Sequence, residues 1–452
     1  MRARQTIVRL LLASAVTASG LMSACGGKDA DPRLTEQPTN VILISIDTLR
    51  PDHLGCYGYE KDTSPALDLL CDDAVVFEQA IAQAPSTLHS HASMLTSLLP
   101  HHHLATWSGK TRLAEEALTV AEVLQEAGYR TAAFSGGGQM DRVFGLDQGF
   151  ELYNQPSSEK FSGTVRAGLD WLESADERPF FLFLHSYEVH HPYTPRKDYL
   201  ELFDGGYSGP LPDDISIDLL REINRGEIEF DAARDLPHVL SAYDAEIRSA
   251  DDGLAILIRF LKDSDQYDST LIVFTSDHGE EFGEHGVVGW HSHTLYDELL
   301  RVPLVVKLPA STHAGQRVAA QVRGIDIPPT VVAAAGLEIP EVFSGVDLGT
   351  RIGDEQEAEM VAISRLDRPP TQSGATSVRQ PDWKLIDTDL FDLSRDPDEQ
   401  WYGSATGSGV EAAERLTSAL QEALESRQPL VPEVVAPADS TLDELRALGY
   451  IQ

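Results

Sequence analysis

The chain has 452 residues, 42% of them apolar, and a formal net charge of −37. Its length and apolar share suffice for one large globular domain or two unequal ones. Such acidity excludes nucleic acid as a partner, because polyanion binding needs a basic face, and any anionic substrate must be met by local positive charge.

Residues 1–24 read as an export signal. Arg2, Arg4 and Arg9 form a basic start, an apolar run follows from Leu10 to Leu21, and Leu21-Met22-Ser23-Ala24-Cys25 closes it. Small residues ahead of a cysteine match a bacterial lipoprotein cleavage site that lipidates Cys25; an ordinary secretory signal is the alternative. Residues 25–39 form a tether rather than a packed element, which favours the lipid anchor. The expected location is the bacterial cell envelope, periplasm or cell surface, with membrane attachment through Cys25. No later segment is long and apolar enough to span a bilayer. Cys56 and Cys71 either pair in that oxidising compartment or remain free buried thiols.

Val41–Asp47 reads as a buried strand that ends in an acid, and Ser64–Cys71 as a short helix. In Ala84–Thr96, hydroxyls and imidazoles precede an apolar helical run. A nucleophile such as Thr87 sits this way at a helix N-terminus, where free N–H groups favour sulfate or phosphate. A plain Ser/Thr cap is the structural alternative. His101-His102-His103 reads as an exposed loop after Pro100. Thr119–Gly128 is a helix, Arg130–Phe134 a strand leading into Gly136-Gly137-Gly138, and Pro179–Leu184 a buried strand followed by His185–Tyr193. Val239–Leu261 is a long amphipathic helix. Leu271–Thr275 is a strand whose end carries Asp277, His278, Glu280 and Glu281, and His285, His291 and His293 follow. Val302–Leu308 is a strand and Ile327–Ala335 a helix closed by Gly336.

Alternating strands and helices predict an α/β domain over 40–350, a mostly parallel sheet covered on both faces. Short strands at Met360–Ser364, Trp383–Ile386 and Leu390–Leu393, with a helix at Val410–Leu424, predict a smaller α+β subdomain over 351–452. Ligands gather at the carboxyl ends of strands in such sheets. Two apolar strands ending in Asp47 and Asp277-His278 therefore suggest one shared divalent metal, since buried carboxylates need a cation.

SIDTLRPDHLGCYGY, STLHSHASMLTS, HPYTP, FTSDHGEEFGEHG, TLYDELLRVPLVV, GIDIPPTVVAAAG, DLFDLSRDPDEQ and LRALGY resemble the sulfatase family, in family order over nearly the whole chain. That family belongs to the alkaline phosphatase superfamily of α/β metallohydrolases. The resemblance implies a large catalytic domain and a small C-terminal sheet. It also implies a hydrolase of sulfate or phosphate esters, small-molecule or glycan. The chain departs from the family at the modified Cys/Ser-x-Pro-x-Arg motif. The modified position falls on Thr87, the proline on His89, the arginine on His91 and a later glycine on Ser97. Formylglycine cannot form there by the usual route, whereas related phosphodiesterases and phospho-transferases use threonine. The paired acids of the calcium-binding members fall on Asp47-Thr48 and Asp277-His278. That ligand set favours zinc or manganese over calcium, which remains open. The family's active-site lysine falls near His293, and its substrate-binding histidine on His190.

These residues suggest that Asp47, Thr87, Asp277 and His278 hold the ion, that Thr87 attacks sulfur or phosphorus, and that His91, His190 and His293 stabilise the ester oxygens. A transferase acting on envelope glycans or lipids, and a non-catalytic binding lipoprotein, are the competing readings.

Overall fold

The structure, a computed structural model, describes residues 39–451 apart from 109, 157–159, 175, 354–359, 368–373 and 402–406. The signal, Cys25 and nearly all of the tether lie outside the described residues. Among the described residues, no helix is long and apolar enough to cross a membrane.

The central sheet comprises β1 (Asn40–Ile46), β2 (Val75–Ile81), β3 (Arg130–Phe134), β4 (Leu152–Asn154), β5 (Phe180–Ser186), β6 (Thr270–Thr275), β7 (Arg301–Lys307) and β8 (Arg317–Arg323). Their spatial order is β8-β2-β7-β6-β1-β5-β3-β4. Only β7 runs antiparallel to its neighbours β2 and β6. Around the sheet lie α1 (Pro65–Asp72), α2 (Thr87–Thr96), α3 (Val120–Glu126), α4 (Phe161–Glu173), α5 (Ala232–Asp263) and α6 (Ile327–Ala334).

Strand β1 shows why its sequence is apolar throughout. Ile42, Ile44 and Ile46 point into one core, with Leu67 of α1, Val165 of α4 and Leu254 of α5. Val41 and Leu43 point into the other, with Leu88 of α2, Val120 of α3 and Val331 of α6. A strand covered on both faces cannot alternate apolar with polar residues. The order places β1 between β6 and β5, with Ser45 level with both Thr275 and His185. The side chains that follow these three strands therefore converge at one edge.

A four-stranded antiparallel sheet, β9 (Ala362–Leu366), β10 (Ala375–Arg379), β11 (Trp383–Ile386) and β12 (Asp389–Asp392), forms the C-terminal subdomain. Helix α7 (Ser408–Glu425) covers it, with Leu416 against Val378 and Leu390. The small sheet is joined to the large one by Arg365 N–H donating to Gln83 O and by a buried charge cluster. In that cluster Lys384 pairs with Asp297 and Glu399 at 2.8 Å each, and Arg379 with Asp297 at 2.9 Å. One further helix, α8 (Asp439–Ala447), returns the chain to the large sheet.

Two expectations change. Helix α5 starts at Ala232, earlier than its apolar pattern suggests, because the Asp231 carboxylate accepts from Ala233 N–H and caps it. The three histidines after Pro100 are not an exposed loop. Pro100–His103 is a helical turn in which His102 and His103 are buried, and His103 Nε2 donates to Ser93 of α2 at 3.1 Å. Cys56 and Cys71 are free thiols.

Candidate active site

Asp47 follows β1, and Asp277 and His278 follow β6; all three are fully buried. His278 Nε2 lies 3.7 Å from Asp47 Oδ1 and 3.4 Å from Asp277 Oδ2. One ligand atom from each of the three lies within 4.8 Å of the others. Asp47 Oδ1, Asp277 Oδ2 and His278 Nε2 are buried without any hydrogen-bond partner. Two buried carboxylate oxygens and an imidazole nitrogen aimed at one another are costly unless a cation joins them. His278 Nδ1 donates to Gly279 O at 2.9 Å, which leaves Nε2 bare, as a metal ligand requires. These residues fit a divalent ion.

The charges carry the same signature. Burial lifts the Asp47 carboxyl to about 6. Burial and the neighbouring Asp47 charge lift Asp277. Burial pulls His278 down, but the Asp277 and Asp47 carboxylates outweigh it and raise the imidazole overall. Each shift runs in the direction that lowers the negative charge of a buried cluster without a cation.

Thr87 opens α2, whose N-cap is Ser86. Ser86 makes no capping bond; its hydroxyl pairs with His89 Nδ1 at 2.7 Å. The Thr87 hydroxyl is not a cap either. Its Oγ1 lies 3.1 Å from Asp47 Oδ2 and 2.9 Å from the Tyr450 hydroxyl. The helix N-terminus thus presents its hydroxyl to the carboxylate cluster.

The imidazoles divide by tautomer. His91 Nδ1 donates to Thr87 O at 2.8 Å, and its bare Nε2 accepts from the Ser45 hydroxyl at 3.0 Å. Burial depresses its pKa to about 4. Neutral and doubly engaged, His91 braces the first turn of α2 and has no donor left for an ester oxygen. His293 Nε2 pairs with Glu281 at 2.7 Å. Among the described residues, no hydrogen bond or ion pair joins His293 to Asp47, Thr87, Asp277 or His278. It is the neighbouring His291 whose ring lies beside the cluster, its centre 4.6 Å from that of His278. His190 donates through Nδ1 to His191 O, and its Nε2 meets the Tyr450 hydroxyl at 3.0 Å.

The sequence marks His185, His191 and His291 as possible ligands or proton donors without fixing a role for any, and gives none to Tyr450. His185 Nδ1 accepts from Gly136 N–H, so Nε2 carries the hydrogen, 3.5 Å from Asp47 Oδ2. His191 and His291 each place Nδ1 on the buried Glu280 carboxylate, at 3.3 and 2.8 Å. His190, His191 and His291 form a second group whose geometry could hold a cation. Gly449 and Tyr450 cover part of it: Tyr450 occupies His190 Nε2, and a Cβ on Gly449 would lie 3.3 Å from His191 Nε2. Beside this group opens a cavity of about 280 Å³, walled by Trp107, Trp290, His291, His89, Asp367 and Tyr450.

The fold and this strand-end site define an alkaline-phosphatase-like α/β hydrolase. Residues 39–337 match the Sulfatase family profile, and residues 283–427 the profile of the N-sulphoglucosamine sulphohydrolase C-terminal region. The chain belongs to the sulfatase family and is a sulfatase-family ester hydrolase. It is 22% identical over 463 residues to N-acetylglucosamine-6-O-sulfatase of Bacteroides thetaiotaomicron, covering 81% of this chain and 82% of that one. A protein solved with its substrate D-glucosamine-2-N,6-O-disulfate superposes with a TM-score of 0.72 at 18% identity, over 87% of this chain and 99% of that one. A phosphonate monoester hydrolase of Agrobacterium radiobacter superposes at 0.69 and 20% identity, over 88% and 100%.

Proposed function

We propose that the protein is a metal-dependent hydrolase of sulfate or phosphate esters with Thr87 as nucleophile. The observation that carries this reading is the Thr87 hydroxyl, 3.1 Å from Asp47, beside three buried ligand atoms that have no partner. Asp47, Asp277, His278 and Thr87 would hold the ion, and this mixed oxygen and nitrogen set suits zinc or manganese better than calcium. When bound, the ion lowers the pKa of a coordinated hydroxyl and draws charge from an ester oxygen.

The chain's own residues supply the rest. His91 fixes the backbone of Thr87 through its carbonyl, and so fixes the direction of attack. His185 Nε2 lies 3.5 Å from Asp47 Oδ2 and makes no hydrogen bond of its own, so a short movement would bring it onto that carboxylate. Attack by Thr87 Oγ1 in line forms the threonine ester and breaks the bond to the leaving oxygen, and the proton that Thr87 gives up passes to the departing alkoxide to make the alcohol. Threonine has no second hydroxyl on its Cβ, so release requires direct attack on sulfur or phosphorus. His291, held on Glu280, offers a bare Nε2 that accepts a hydrogen from the entering water. The cavity walls, two tryptophans with a hydrogen-bonded His89–Asp367 pair at 3.1 Å, suit a sugar ring stacked on an aromatic face with its hydroxyls hydrogen-bonded. The named substrates of the Bacteroides relative and of the disulfate complex support a glycan ester. The signal ending at Cys25 supports an exported, lipid-anchored enzyme.

Rapid quench followed by peptide mass spectrometry tests the reading. The expected result is a sulfo or phospho adduct on Thr87 with an aryl ester, absent from Thr87→Ala. An adduct elsewhere, or full turnover by Thr87→Ala, would remove Thr87 from the reaction. An acceptor alcohol that diverts the product to a new ester would make the enzyme a transferase.

A further inference from the structure

Gly449 and Tyr450 lie inside the active site, and two sequence motifs with no assigned role account for it. Gly136-Gly137-Gly138, at the end of β3, forms the seat of α8. A Cβ on Gly137 would lie 2.5 Å from Glu444 Oε2, and one on Gly138 2.7 Å from Leu448 Cδ1. Both glycines have positive φ, 77° and 59°, which side-chain-bearing residues rarely adopt. Gly138 N–H donates to the Glu444 carboxylate at 2.8 Å, and the Thr441 hydroxyl to Asp141 at 2.8 Å. Arg221 donates to Gly449 O at 3.3 Å. So anchored, the LRALGY motif delivers its tyrosine to the nucleophile, 363 residues away in sequence.

Hydrogen counting orients the contact. His190 Nδ1 faces a carbonyl and must carry a hydrogen, so its Nε2 is bare and can only accept. The Tyr450 hydroxyl, 3.0 Å away, therefore gives its hydrogen to His190. Its oxygen keeps lone pairs, 2.9 Å from Thr87 Oγ1. Thr87 has one hydrogen and two acceptors in reach, Tyr450 and Asp47.

We propose that Tyr450 is a positioning residue of the reaction: its phenol oxygen takes the Thr87 hydrogen, leaving Asp47 and a Thr87 lone pair both free for the cation. A tetrahedral oxygen accommodates this. Cβ and the hydrogen toward Tyr450 fill two directions, and the lone pairs face the Asp47 cluster and the substrate. The inference rests on Thr87 being nucleophile and ligand.

Two readouts test it on the full chain. Partners that orient a metal ligand are typically worth about 10–100-fold in affinity or activity. Tyr450→Phe keeps the ring and removes only the hydroxyl. It should weaken zinc or manganese binding about tenfold in a chelator competition and lower kcat about tenfold, with KM within about twofold and an unchanged melting temperature. Tyr450→Phe equal to the parent in both readouts would overturn the proposal. So would a faster Tyr450→Phe, which would make the phenol a plug on the nucleophile. Thr87→Ala and Asp47→Asn, measured in parallel, separate the two levels. If both keep metal and turnover, the underlying site reading fails; if both lose them while Tyr450→Phe does not, only the role of Tyr450 fails.

Discussion

Asp47→Asn should stabilise the metal-free protein while abolishing its metal binding. Burial lifts the Asp47 carboxyl from 3.8 to about 6. A group whose pKa is raised on folding contributes its full stability below the unfolded value and loses it as pH rises through the folded one. The loss therefore accrues between 3.8 and about 6, and amounts to about 3 kcal/mol at neutral pH. Asparagine never ionises and avoids it. The raised value already includes the opposing attraction of His278 and the hydrogen bond from Thr87, so the expected net gain is about 3 kcal/mol. In chelator at pH ~7.5, that should raise the melting temperature by about 3 °C. The gain should shrink as pH falls through the window, because the folded carboxyl is then already neutral. With zinc or manganese added, the order should reverse, since only the parent gains binding energy. A destabilised Asp47→Asn in chelator, with a parent indifferent to metal, would show that Asp47 is a structural hydrogen-bonding group and would refute the reasoning.

Three further outcomes follow from the geometry. His291→Ala should lower kcat about a hundredfold, and His293→Ala, which removes a partner of Glu281, should leave kcat within a fewfold in the same steady-state assay. His91→Ala should lower turnover through a displaced α2, and should keep more metal than Asp277→Ala by elemental analysis. Asp297→Ala leaves Lys384 buried against Glu399 alone and deprives Arg379 of its carboxylate. It should destabilise the protein by about 3–5 kcal/mol in a denaturant titration without altering metal content.

The meeting of Asp47, Asp277 and His278 was legible because they end regular elements. A parallel strand must bury every side chain until it ends, so acids at the ends of β1 and β6 stand out. Thr87 was legible as the first residue of a helix. Roles that depend on ring orientation were not. His91 sits four residues after the carbonyl it binds, and that local bond turns it inward. His291 and His293 flank Ser292, whose φ of 62° reverses the chain, so neither strand nor helix periodicity says which ring faces the cluster. His185 was hidden in a run of histidines, and its pointing toward Asp47 follows only from the β1–β5 register. Tyr450 depends on a long-range return that no local pattern encodes. Helix α4 was missed because Gly163 and Gly168 weaken its propensity, and burial of Phe161, Val165 and Leu172 carries it instead.

Crystals grown with zinc or manganese, and diffraction recorded across the absorption edge of that metal, test the central claim most directly. One anomalous peak is expected within bonding distance of Asp47, Asp277, His278 and Thr87 Oγ1, lost in Asp47→Asn. Full turnover by crystals or solutions with no metal at that position would contradict it.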